Sequence, residues 1–165
     1  MSRRIGEIGA EDRRFQLAEG AGSDAIHTDP QYCYAVARIR TDDGLEGHGL
    51  TLHTGDGNEL ICQAIGLLAA PLADRELEEL MADWGNVSRS LANHSRLRWL
   101  GPHKGVVGLA MASISNAVFD LWAKARGVPA WKLLLDLSPE EFVALLDLSY
   151  LEDAITRDEA VAILR

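Results

Sequence analysis

The chain has 165 residues, the length of one ordinary domain and well short of the roughly 250 residues of a complete eightfold α/β barrel. With 47% apolar, 25% charged and 6% aromatic residues it can bury a core, which excludes a disordered tail. Its net charge of −9, from 16 basic and 25 acidic residues, repels phosphate backbones and anionic lipid, so nucleic acid is not an expected partner.

The first 55 or so residues read as strand, loop, strand, turn, strand. A first strand falls somewhere within residues 4–17, its limits blurred by Gly6 and Gly9. Residues 18–31 hold Gly20, Gly22, Ser23, Asp24, Asp29 and Pro30, too many residues and glycines for a tight turn, and read as a mobile loop. Over residues 32–41, Cys33, Ala35, Ala37 and Ile39 alternate with Tyr32, Tyr34, Val36, Arg38 and Arg40, and Thr41-Asp42-Asp43-Gly44 supplies a hairpin turn. The period then lengthens to about 3.6. Asp56, with Glu59 three residues later, is the expected cap of a helix through Ile61, Ile65 and Leu68. The strongest helix begins near Lys104, aligns Val107, Met111, Ile114, Val118, Leu121 and Ala125, and stops at Gly127 before Pro129. Capping boxes at Ser138/Glu141 and Thr156/Glu159 start two more helices, and residues 145–150 between them are compatible with a short buried strand.

A search for chemistry returns little. His27, His48, His53, His94 and His103 have no Cys, Asp or Glu at a spacing typical of a metal site, and His48 and His53, an odd number of residues apart on one strand, face opposite sides. No activated nucleophile is recognisable, and Gly55-Asp56-Gly57 lacks a basic neighbour for a phosphate. Asp42, Asp43 and Asp56 have turn or cap explanations. Asp24 follows Gly22 and Ser23 in a loop where backbone can approach a ligand, and two readings stay open: a solvated carboxylate in an Asx-turn, or a group that contacts ligand. Cys33 and Cys62 read as reduced packed thiols, no apolar stretch reads as a membrane span, and the expected compartment is the cytoplasm.

The order of several longer motifs is more specific. Gly22-Ser23-Asp24-Ala25, Thr28-Asp29-Pro30 and Tyr32 precede Gly44-Leu45-Glu46-Gly47-His48-Gly49. Leu97-Arg98-Trp99-Leu100-Gly101-Pro102, Lys104-Gly105-Val106, Asn116-Ala117-Val118 and Asp120-Leu121-Trp122-Ala123-Lys124 follow. Trp131-Lys132-Leu133-Leu134, Ser138-Pro139-Glu140-Glu141 and Tyr150-Leu151-x-Asp153-Ala154 complete the series. In order and spacing this resembles the L-fuconate dehydratases of the enolase superfamily over nearly the whole chain. One departure is Arg14-Phe15-Gln16, where the family pattern has Arg-Phe-Pro.

The resemblance implies an α+β fold: a three-stranded antiparallel meander followed by a helical bundle, ending in the first strand and helix of an incomplete TIM barrel. Residues 1–135 would be the capping domain, and residues 136–165 a linker helix and the first βα unit. It further implies that Gly22, Ser23, Asp24 and Tyr32 contact a sugar acid, that Mg²⁺ serves the complete enzyme through ligands outside this chain, and that the catalytic barrel residues lie outside it too. The expected reaction is removal of water from L-fuconate, with the chain inactive alone. Its expected partners are the sugar acid, the missing barrel and a second copy in a homo-oligomer. Trp99 either lines the mouth between cap and barrel or packs between helices. An alternative function is a non-catalytic sugar-acid-binding or assembly module.

Overall fold

Three strands form the sheet in the order β1 (Ile5–Gln16), β2 (Gln31–Thr41), β3 (Glu46–Thr54), all antiparallel. In this computed structural model residues 3–28, 30–101 and 104–165 are described; Asp29, Pro102 and His103 of the motifs above lie outside them. The period-two alternation holds: Cys33, Ala35, Ala37 and Ile39 are fully buried, while Tyr34, Val36 and Arg38 face the other side. The hairpin turn closes as expected, with Gly44 at φ 87°, and Thr41 Oγ1 donating to Asp43 and accepting from the Leu45 amide.

Seven helices follow among the described residues: α1 (Asn58–Ala69), α2 (Leu77–Ala82), α3 (Trp84–Ala92), α4 (Gly105–Ala125), α5 (Ala130–Asp136), α6 (Pro139–Ala144) and α7 (Arg157–Leu164). The start of α1 differs from the expectation. Gly57, in the left-handed region at φ 96°, occupies the cap position with no side-chain cap bond. Glu59 is instead held by Arg14 at 2.6 Å. Both predicted capping boxes form, at Ser138/Glu141 and Thr156/Glu159. Beyond α4, the Gly127 amide bonds Lys124 and the Val128 amide bonds Ala123, the reversal that a glycine at φ 69° permits.

Helix α4 lies under the sheet and organises the core. Val107, Ile114, Val118 and Leu121 are buried as the periodicity indicates, whereas Met111 and Ala125 sit at the border and Ala110, Ser113, Ala117, Trp122 and Ala123 take the remaining inward positions. By length and composition this 21-residue helix also meets the criterion for crossing a membrane, contrary to the sequence reading. Half of its most apolar stretch is buried against the sheet and neighbouring helices. Contact with β3 depends on two glycines. A Cβ at Gly49 would stand 2.1 Å from the Ser113 carbonyl oxygen, and one at Gly47 2.2 Å from that of Ala117. The same helix serves the backbone of β3. Asp120 accepts from the His48 amide at 2.8 Å, Asn116 donates to the Leu50 carbonyl at 3.2 Å, and Lys124 donates to the Glu46 carbonyl at 3.0 Å. These three residues, spaced four apart on one helix face, occupy bonds that an edge strand otherwise offers to solvent.

The expected strand at residues 145–150 is not formed. Leu145 caps α6, its amide and that of Leu146 bond Phe142 and Val143, and Ser149 and Leu151 close further turns. A buried barrel strand needs a ladder on either side, and without one its amides turn back on local acceptors. Leu145 alone reaches the core; Leu146 passes Gly85 of α3 so closely that a Cβ there would meet its carbonyl oxygen at 2.2 Å.

Candidate functional site

Antiparallel order places the 17–30 loop and the 55–57 loop at one end of the sheet and the 42–45 turn at the other. The Gly55 amide donates to the Gln31 carbonyl at 3.1 Å, joining the two loop bases. Because α4 runs opposite to β3, with Ser113 beside Gly49 and Ala117 beside Gly47, its N-terminus points to the same end. A small set of polar residues therefore gathers there.

Beneath the loops, Asn58 is fully buried and ties three strands together. It donates to Asp12 on β1 at 2.5 Å and to the Tyr34 carbonyl on β2 at 3.1 Å, and its Oδ1 lies 3.0 Å from His53 Nε2 on β3. Asp12 is held below the ordinary carboxylate range by its bonds from Arg14 and then Asn58. His48 is exposed on the opposite side of β3, as the odd spacing requires.

Of the predicted contact residues, Gly22, Ser23 and Asp24 stand together, and Tyr32 lies alongside. Gly22 is at φ 69°, and a Cβ on it would meet Leu17 at 2.9 Å and the Tyr32 hydroxyl at 3.6 Å, so the loop folds down on the base of β2. Ser23 Oγ donates to the Thr28 carbonyl at 3.1 Å, and the Asp24 amide to that of His27 at 2.9 Å. Asp24 Oδ1 accepts from the amides of Ile26 and His27 at 2.8 and 2.7 Å. His27 Nδ1 stands 3.1 and 3.0 Å from the two carboxylate oxygens.

These bonds form the Asx-turn that composition alone allows. They also hold the Asp24 carboxyl down at about 2, the His27 and Ile26 amides being the main cause. The side chain is 62% exposed. Oδ2 is engaged by the imidazole alone, so it has lone-pair capacity for an incoming hydroxyl. The loop thus presents an ionised acceptor in a fixed direction. Sequence reasoning missed His27; the signal was its position three residues after Asp24 in a loop that turns back.

Trp99 is 79% exposed on a short 3₁₀ turn before α4 and is not packed between helices of the described residues. No group of three or more His, Cys, Asp or Glu side chains among the described residues is placed to hold a metal ion, so these residues do not fit a magnesium site.

Residues 20–134 match the family model described as the N-terminal domain of mandelate racemase / muconate lactonizing enzyme. An L-galactonate dehydratase of Hypocrea jecorina is 45% identical over 157 residues, covering 94% of this chain and 35% of that protein. Human mitochondrial enolase superfamily member 1 is 42% identical over 165 residues, covering 98% of this chain and 37% of its own length. Its crystal structure superposes with a TM-score of 0.91 over 99% of this chain and 38% of that one. L-talarate/galactarate dehydratase from Salmonella typhimurium, in a crystal structure with Mg and L-lyxarohydroxamate, shares the fold at a TM-score of 0.60 and 18% identity, over 92% of this chain and 42% of that one. The chain spans little more than a third of the length of the curated relatives first matched. It belongs to the mandelate racemase / muconate lactonizing enzyme family of the enolase superfamily, whose N-terminal domain it carries.

Proposed function

We propose that this chain is the capping part of a sugar-acid dehydratase and that the sugar acid is L-fuconate. The complete enzyme converts L-fuconate to 2-keto-3-deoxy-L-fuconate and water: a proton leaves C2 and hydroxide leaves C3. The observation that carries this reading is the ionised Asp24 carboxylate, fixed by two backbone amides beside Gly22, Ser23 and Tyr32 at the loop end of the sheet. Its role is to accept hydrogen bonds from sugar hydroxyls. A site built to bond hydroxyls discriminates strongly against analogues lacking them, because its polar groups are then left unpaired. Residues 1–135 form the cap and residues 136–165 begin the barrel. Magnesium, and the groups that move protons, belong to the remainder of the enzyme.

The 45% identity to an L-galactonate dehydratase supports a second substrate, since L-fuconate is L-galactonate without its 6-hydroxyl. Joining this chain to a family barrel and measuring kcat/KM on both acids decides between them. A higher value for L-fuconate is expected; a higher value for L-galactonate transfers the assignment. The 165-residue chain assayed alone with L-fuconate and Mg²⁺ is expected to show no turnover, and turnover near that of a whole enzyme would refute the division of labour.

A further inference from the structure

The tip of the 17–30 loop is a four-residue turn closed from both ends. The Asp24 amide donates to the His27 carbonyl at 2.9 Å, and the His27 amide donates back to Asp24 Oδ1 at 2.7 Å. One pair further out, Ser23 Oγ donates to the Thr28 carbonyl at 3.1 Å. The His27 backbone is thus held through both its amide and its carbonyl, and its ring is carried by a fixed Cα.

The Asp24 carboxylate receives three donors, and they do different things. The Ile26 and His27 amides both reach Oδ1, at 2.8 and 2.7 Å, and tether that one oxygen. A carboxylate tethered at one oxygen still turns about it, because the terminal torsion of an aspartate is broad. The imidazole supplies the second point: Nδ1 stands 3.1 Å from Oδ1 and 3.0 Å from Oδ2, so it addresses both oxygens nearly equally. A carboxyl that titrates at about 2 carries no proton at neutral pH and only accepts, so Nδ1 bears the hydrogen whether the ring is neutral or cationic. The pair is open to solvent, with the imidazole 49% exposed. Exposed pairs add little to stability, so the ring contributes direction to the carboxylate more than it contributes strength to the fold.

From this arrangement we propose that His27 is a positioning residue for the contact between cap and sugar acid: its Nδ1–H fixes the plane of the Asp24 carboxylate, and with it the direction in which Oδ2 meets a substrate hydroxyl. This role rests on the dehydratase reading above; His27 acts through Asp24 and touches no substrate. An acceptor already held in its binding orientation spares the complex the cost of ordering it, so the gain falls on substrate binding.

Three substitutions separate the ring's hydrogen from its bulk. Leucine has no donor, asparagine places its Nδ2 donor where Nδ1 of histidine stands, and glutamine carries its donor one carbon further out. With this chain joined to a family barrel, His27→Leu is expected to raise KM for L-fuconate about ten-fold, the worth of one hydrogen bond to a charged group, and to change kcat far less. His27→Asn is expected to return KM to within about three-fold of the parent, and His27→Gln is not. In the 165-residue chain a ring-nitrogen spectrum should show the hydrogen on Nδ1. In His27→Leu the carboxyl-carbon midpoint of Asp24 should rise above about 2, while the two amides keep it below the ordinary aspartate range. Melting temperature should stay at the parent's value in all three variants. A parent-like KM in His27→Leu, or an asparagine variant no better than the glutamine one, overturns the positioning role. If His27→Leu also displaces the Ile26 amide shift, the comparison of asparagine with glutamine decides by itself. Lowered kcat/KM in Asp24→Asn beside parent-like His27→Leu leaves the dehydratase reading standing and removes only the role of His27. Parent-like kinetics in both variants removes the contact reading and this role with it.

Discussion

Asp24 is the centre of an Asx-turn, which needs an acceptor oxygen; in the role proposed above, accepting from sugar hydroxyls, it would also benefit from charge. Asp24→Asn keeps the first and removes the second. In a completed enzyme we expect Asp24→Asn to keep the loop amide shifts of Ile26 and His27 and to lower kcat/KM about ten-fold, with thermal stability unchanged. Asp24→Ala is expected to disturb both loop and kinetics, and parent-like kinetics in both variants would end the contact assignment. The pH dependence follows from the direction of the shift. Folded Asp24 titrates at about 2, below the ordinary aspartate range, so the stabilisation is fully present above about 4 and is lost as pH falls toward 2. A carboxyl-carbon titration should place its midpoint near 2, and a midpoint near 4 would show the turn to be open in solution. The order of Gly22, Ser23 and Asp24 before Tyr32 singled out this loop, and the structure sets Gly22 beside Tyr32, but the partnership of Asp24 with His27 was not legible, because an irregular loop has no period from which to read a neighbour.

The pairing of β3 with α4 rests on absent side chains. Gly49→Ala would push a methyl carbon against the Ser113 backbone, where neither side can yield cheaply. A loss of about 3 kcal/mol is expected in denaturant unfolding, at the upper end of ordinary overpacking; a loss below about 0.5 kcal/mol would mean that the helix simply shifts. Asn58→Ala removes the group that satisfies Asp12, the Tyr34 carbonyl and His53 at once, and should cost about 2 kcal/mol. The apolar stripe of α4 was legible from its 3.6-residue period, since burial repeats with the helix. The companion role of Asn116, Asp120 and Lys124 was not, even though their four-residue spacing is plain. A sequence shows that three polar residues share a face but not that a strand's backbone passes in front of it. Likewise Asp56 and Glu59 form a good capping pattern on paper, and tertiary bonds from Arg14, with the left-handed Gly57, claimed the position instead.

Across the whole molecule the readable parts are those whose reasons are local. Alternation in β2, the turn at Gly44 and two capping boxes needed only neighbours within a few residues, and all are present. The segment 145–150 failed because a buried strand is a statement about its neighbours in a sheet, and none is supplied here. Tyr150 is 71% exposed and Leu151 49% exposed, so little covers the end of that stretch. Amides 146–151 should exchange orders of magnitude faster than those of 110–121 in α4, as measured by hydrogen exchange. Exchange as slow as that of α4 would mean that the tail is packed in a way these contacts do not explain.

The flank of β3 is already occupied by α4 side chains, and that limits how the sheet can extend. Among the described residues the unpaired border of the sheet is that of β1 beyond Ile5, since the start of the strand is bonded to residues 74–76; it carries Glu7, Glu11, Asp12, Arg13 and Arg14. A second copy added along it would give a sheet with α4 side chains at both flanks, so extension by that route would stop at two copies.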